Sequence, residues 1–244
     1  MHLLAIETSG YRGGIALAEG GDPPDLVDEV LLDEDLRHAR DLAPAIQAAF
    51  DRAGWSPRAL DAVAVSIGPG SFTGLRIAVV LAKFVAWDTR ARIVTVPSLR
   101  AMAENAPAGA SPVACIRDAK RRGLYASVFR RRGDDFEETF GPALIQPADL
   151  AERLPPGTLV LGRGVPKSRE ALAGFAMAPE EAWDVRPSAV ARLGWRAYRD
   201  GAFADPLRLE PLYLRRPEAE EIWERRHGVP RPDKPAGPHK PNDR

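Results

Sequence analysis

Two acidic residues at the ends of apolar runs and one glycine-rich segment are the features of this chain that could do chemistry. Glu7 closes the run LLAIE, and Asp118 closes VACIRD. A carboxylate pair so placed can position Mg²⁺ or activate water if a cleft brings the two together. Structural hydrogen bonding accounts for the same two residues equally simply. The segment Ser66-Ile67-Gly68-Pro69-Gly70-Ser71-Phe72-Thr73-Gly74-Leu75-Arg76 lies between an apolar run and a helical pattern. Free N–H groups at a helix start favour an anion, and glycines let the main chain approach it. Gly68, Gly70, Ser71, Thr73 and Gly74 are therefore candidates for holding a nucleotide phosphate, with Glu7 and Asp118 beside it. The spacing fits neither standard phosphate loop: Gly74-Leu75-Arg76 stands where a Walker loop has Gly-Lys-Ser/Thr, and the third glycine misses the dinucleotide fingerprint by one residue. A tight turn capped by Ser71 or Thr73 is the competing reading.

Metal and nucleophile chemistry has less to work with. His2, His38, His227 and His239 contain no pair at ligand spacing, so we expect no metal site and no catalytic residue. His38 reads as a surface or cap residue, and the single Cys115 as a core thiol. No Ser/His/Asp or zinc-binding spacing supports a peptidase. Lys and Arg total 34 against 34 Asp and Glu. That balance lacks the basic excess of a protein that binds nucleic acid alone, so any RNA contact is expected to be shared with a partner. Lys120-Arg121-Arg122 and Arg130-Arg131-Arg132 read as solvated faces. The opening apolar run stops at Glu7, too short for a signal-peptide core or a bilayer span, and a cytoplasmic location is expected.

The elements that must position these residues alternate between extended and helical periods. LLAIE and IALAE form a hairpin through SGYRGG, LVDEVLL is a third extended run, and residues 36–53 carry Leu42, Ile46, Ala49, Phe50 and Ala53 at helical spacing. DAVAVSIG reads as a buried strand, LRIAVVLAKFVAWDT as a helix and RIVTV as the next strand. A second set of strands follows in VACIRD, LYASVFRR, a short stretch near FEETF, and TLVLG. SAVARLGWRAYRD is helical through Val190, Leu193 and Tyr198, LEPLYLR is a last extended segment, and PEAEEIWERR a last helix. The pattern predicts an α/β fold with mixed sheets and flanking helices, divided into lobes at 1–106 and 107–226. Residues 227–244, dense in proline and charge, are expected to be a flexible tail.

The helix after Gly74 stands out, because Leu75, Ile77, Val79, Val80, Leu81, Phe84, Val85 and Trp87 occupy nearly its whole circumference. Such a helix is covered on more than one side, by its own chain or by a second subunit, and a second subunit is the reading we favour.

GPGSFTGLR after an apolar strand, with LLAIETS at the start of the chain, resembles the TsaB/YeaZ family. His38 before a helix, VPSLRAMAEN, IRDAKRRGLYASVF and the finish LEPLYLRRPEAEEIW resemble further family segments in order, so the likeness spans residues 1–226. The chain departs from the family in Glu7, where an Asp is usual, in His38-Ala39-Arg40, and in an extra residue within Asp118–Gly123. The resemblance implies the two-lobed fold of actin, Hsp70 and sugar kinases. It also implies a noncatalytic, activating role in tRNA N6-threonylcarbamoyladenosine synthesis, in which the chain binds a TsaD-type catalytic paralogue and a TsaE-type ATPase and meets tRNA only through the complex. Arg76, Val80, Lys83, Phe84 and Trp87 are then the expected partner interface, and a homodimer through the same face is expected in isolation. No cofactor is firmly implied; ATP or ADP with Mg²⁺ is expected at the level of the complex. The alternative is an ATP-dependent transferase or kinase-like enzyme that uses its own interlobe cleft.

Overall fold

The structure, a computed structural model, describes residues 1–33, 38–120 and 123–214. The two opening runs become β1 (His2–Glu7) and β2 (Gly14–Glu19), paired antiparallel with Leu3 opposite Ala18 and Ile6 opposite Ile15. β3 (Asp25–Leu31) continues the meander as a half-exposed edge. Helix α1 (His38–Ala53) leads to β4 (Ala62–Gly68), which pairs parallel with β1. Helix α2 (Phe72–Thr89) leads to β5 (Arg92–Pro97), parallel to β4. Parallel neighbours require such crossovers, which is why helical and extended periods alternate here.

After the short helix α3 (Ser98–Ala103) come β6 (Val113–Asp118), β7 (Leu124–Arg132) and β8 (Asp135–Ile145) as a second meander. β8 is a full-length partner of β7, longer than the short stretch expected near FEETF. Helix α4 (Pro147–Ala151), β9 (Leu159–Leu161), helix α5 (Val165–Ser168) and β10 (Ala176–Met177) complete that lobe, with sheet order β10-β9-β6-β7-β8. The expected mixed α/β class, two sheets with flanking helices, is the one observed.

The chain then crosses back. Helix α6 (Pro187–Arg199) lies across β1, β2, β4 and β5, and β11 (Phe203–Ala204) adds antiparallel to β5, giving the order β11-β5-β4-β1-β2-β3. β11 therefore belongs to the first sheet and α6 packs on that sheet, although sequence placed residues 187–204 in the lobe 107–226. The reason is burial. One face of the first sheet, with Leu4, Ile6, Val63 and Val65, is covered by α1 and α2. The opposite face, rich in Ala5, Ala16, Ala62 and Ala64, would face water unless a helix closed it. Pro187, Ala189, Val190, Ala191, Gly194 and Trp195 are the buried residues of α6, whereas Leu193 and Tyr198 are only half-buried. LEPLYLR continues without strand pairing; the N–H of Leu212 donates to the Ile67 carbonyl at 2.7 Å. The last helix expected at PEAEEIWERR, the tail 227–244, Arg121, Arg122 and the His38 side chain lie outside the described residues. No helix among the described residues is long and apolar enough to cross a membrane.

α6 is anchored by a carboxylate from another element. Glu29 on β3 accepts from the N–H of Ser188 at 2.9 Å and pairs with Arg186. Burial pushes the Glu29 pKa up, but the bonds from Arg186 and Ser188 and the Arg186 charge outweigh it and hold the carboxyl below its usual 4.5. A depressed carboxylate contributes stability above its unfolded pKa and loses it as pH falls through the folded value. Glu29→Gln is expected to cost about 1 kcal/mol at neutral pH, with the difference from wild type closing below about pH 4 in thermal melts. Identical melts at pH 7 would remove Glu29 as an anchor.

Candidate functional site

The glycine-rich segment is where three elements meet. Ser71 ends the turn after β4 and caps α2, its hydroxyl accepting from the Gly74 N–H at 3.2 Å. The N–H of Ser71 donates to the Ser9 carbonyl at 2.8 Å, and the Thr8 hydroxyl donates to the Gly74 carbonyl at 2.7 Å. The end of β1 thus lies directly against the start of α2. A Cβ on Gly74 would sit 2.1 Å from the Thr8 carbonyl oxygen, and one on Gly70 would sit 2.4 Å from that of Ser9. Close main-chain approach accounts for both glycines, and Ser71 rather than Thr73 is the cap.

Beside this junction a cleft of about 420 Å³ opens between the two sheets. Gly70, Ser71 and Thr73 line it from the first lobe, and Arg117, Asp118, Lys120 and Arg163 from the second. Tyr11, Phe72, Tyr125 and Tyr213 supply aromatic walls, and Leu212 and Leu214 close one side. Gly68, Gly74 and Glu7 are not among the lining residues. The two carboxylates paired in the sequence reading have different surroundings. Asp118 faces the cleft and accepts from the Lys120 N–H at 2.7 Å and from Lys167 Nζ at 2.9 Å. Glu7 has no exposed surface; its Oε1 accepts from the Ser9 N–H at 2.6 Å and from the Ser9 hydroxyl. Arg163 holds Asp184 at 2.6 Å. No group of three or more His, Cys, Asp or Glu converges as a metal set among the described residues.

Sequence reasoning did not single out Arg117, Arg163, Asp184, Tyr11, Phe72, Tyr125 or Tyr213. The only signal available was position: Arg117 adjoins Asp118 at the end of β6, and Tyr213 lies in the LYLR finish.

A second feature runs along α2. Gly74, Leu75, Ala78, Val79, Ala82 and Ala86 are buried, while Val80, Phe84 and Trp87 are 51%, 61% and 82% exposed. With Arg76 they recur at i, i+4, i+8 and i+11, one stripe of the helix. Lys83 flanks it, half-buried. At its N-terminal end Arg76 lies 4.0 Å over the Phe72 ring, and its Nε donates to the Tyr213 hydroxyl at 3.0 Å. The chain itself covers one side of α2 and leaves the other bare.

A family model described as TsaD: tRNA N6-adenosine threonylcarbamoyltransferase matches residues 34–180, more than half of the chain. The tRNA threonylcarbamoyladenosine biosynthesis protein TsaB of Bacillus subtilis is 30% identical over 232 residues, covering 91% of this chain and 98% of that protein. The chain belongs to the TsaB/YeaZ family. An uncharacterized Mycobacterium tuberculosis protein is 32% identical over 222 residues, covering 90% of this chain and 94% of its own length. Among solved structures, an uncharacterized Pseudomonas aeruginosa protein described as similar to peptidase YEAZ superposes with a TM-score of 0.77 at 25% identity, covering 88% of this chain and 99% of that one. YeaZ from Pseudomonas aeruginosa superposes at 0.74 with 22% identity and the same fold.

Proposed function

We propose that this chain is a noncatalytic scaffold subunit in tRNA N6-threonylcarbamoyladenosine synthesis, docking a TsaD-type paralogue through the exposed stripe of α2. The observation that carries the reading is that stripe. Val80, Phe84 and Trp87 form a contiguous apolar surface on a helix whose other face is fully packed. Large clustered side chains of this kind mark interaction sites, and aromatic residues dominate the energy of such contacts. The family supplies the process, since the relatives from Bacillus subtilis and Escherichia coli are both named for threonylcarbamoyladenosine biosynthesis. On this reading Arg76 and Lys83 edge the interface, a TsaE-type ATPase joins the pair, and tRNA is met through the complex. On this reading the protein works in the cytoplasm, with the complex that modifies tRNA. Without the paralogue, the same surface closes on a second copy. Any nucleotide and Mg²⁺ belong to the assembled complex.

Reconstitution tests this. Purified TsaD-type, TsaE-type and adenylate-forming proteins with tRNA should modify it only when this chain is added. Equal modification without it, or nucleotide turnover by this chain alone, would favour the kinase-like alternative.

A further inference from the structure

The actin-like fold implies a metal-bound nucleotide in the interlobe cleft, and the residues here do not fit one. Glu7, the carboxylate nearest the first hairpin, is wholly enclosed and spends Oε1 on Ser9. Its Oε2 is buried without a hydrogen-bond partner among the described residues, as is Nε of Arg117. Arg117 comes from the second sheet, is 8% exposed, and its Nη1 donates to the Ser9 carbonyl. Arg117 and Asp184 flank the hairpin turn: a Cβ on Gly10 would lie 3.5 Å from Arg117 Nη1 and 3.7 Å from Asp184 Oδ1. A phosphate there would face the Asp184 carboxylate, and a cation would find Glu7 out of reach and Asp118 already held by Lys167.

We propose that Arg117 is an internal counter-ion for Glu7, standing in for the divalent cation of a nucleotide site and latching the second sheet to the first. The latch runs Glu7–Ser9–Arg117. The Ser9 carbonyl that receives Arg117 also receives the N–H of Ser71, the cap of α2. The guanidinium therefore fixes three things at one atom: the end of β1, the second sheet and the start of α2. Its cost is desolvation, which lowers the Arg117 pKa, and the facing Glu7 and Asp184 charges oppose that shift. The other charged or titratable groups facing it are Arg163 and Tyr11. What remains open is a cleft with aromatic walls in which, among the described residues, Asp118 is held by Lys167 and Asp184 by Arg163. The latch does not depend on what docks on α2.

Charge removal tests it. Arg117→Met removes the guanidinium that faces the enclosed Glu7 carboxylate, and a buried charge stripped of its counter-charge is destabilising. Its melting temperature should then fall below that of wild type. Adding Glu7→Gln should recover part of that loss and make the double variant more stable than Arg117→Met alone. Hydrogen exchange at residues 9–11 and 71–74 should quicken at least tenfold in Arg117→Met and less in Arg117→Lys. If Arg117→Met does not fold, Glu7→Gln and Arg117→Lys carry the exchange comparison. Unchanged exchange, additive single-variant effects, or Glu7-dependent binding of Mn²⁺ with an ATP analogue to wild type, read by electron paramagnetic resonance, would each overturn the latch.

Discussion

Phe84→Glu is expected to weaken binding to the TsaD-type paralogue by at least about 100-fold, roughly 2.7 kcal/mol, while leaving the fold unchanged. Phe84 is 61% exposed in the isolated chain, so the substitution removes little internal packing. An exposed substitution of this kind moves stability by about 0.5 kcal/mol or less. In a docked complex the glutamate would be desolvated against apolar side chains, which costs far more than the lost ring contact. Val80→Glu should behave alike, being one turn away on the same stripe. Leu207→Glu is the control: Leu207 is 92% exposed and is not part of the α2 stripe. Calorimetric titration separates the cases. If Phe84→Glu and Val80→Glu bind as wild type does, the stripe is not the docking surface; if Leu207→Glu weakens binding equally, the effect is general surface charge.

Gly74→Ala should be the most damaging conservative change near the cleft, at about 3 kcal/mol. Inside an exposed helix the same change normally stabilises by about 1 kcal/mol, because alanine has the higher helix propensity. Here the opposite sign wins. The new Cβ would lie 2.1 Å from the Thr8 carbonyl oxygen, and neither backbone can yield without moving β1 or α2. Relief would also break the Thr8 hydroxyl bond to the Gly74 carbonyl. For a chain of this size the melting temperature should fall by about 6–12 °C. Gly174→Ala, where a Cβ would meet nothing within 4 Å, should be near neutral. A Gly74→Ala protein as stable as wild type would mean that the two main chains do not approach as described. The same variant should weaken docking, because α2 would start from a displaced cap.

The two predictions rest on different levels of the molecule, and the sequence reads them unequally. The stripe was legible: Val80, Phe84 and Trp87 stand at helical spacing in the chain, and their excess over what one buried face needs is visible without coordinates. The strand before GPGSFTG and the helix after it were legible too, with Ser71 and Thr73 as the two candidate caps, since capping and alternation depend on residues within four positions of one another. The role of Gly74 was not. Glycine after a strand reads equally as anion cradle or as tight turn, and what decides is Thr8, which the fold delivers from the first strand.

Sequence alone therefore determined the α/β class, the order of the main elements, the family and the apolar helix, because each is written in short-range periodicity or in a contiguous motif. Tertiary structure alone decided that α6 and β11 return to the first sheet, that Glu7 is enclosed while Asp118 faces the cleft, and that Arg117 reaches Ser9 from 108 residues away and Arg76 reaches Tyr213 from 137. The physical reason is range. A periodic pattern states which face of an element must be buried, but not which distant element buries it, and the partner of a buried charge is chosen only when the layers close.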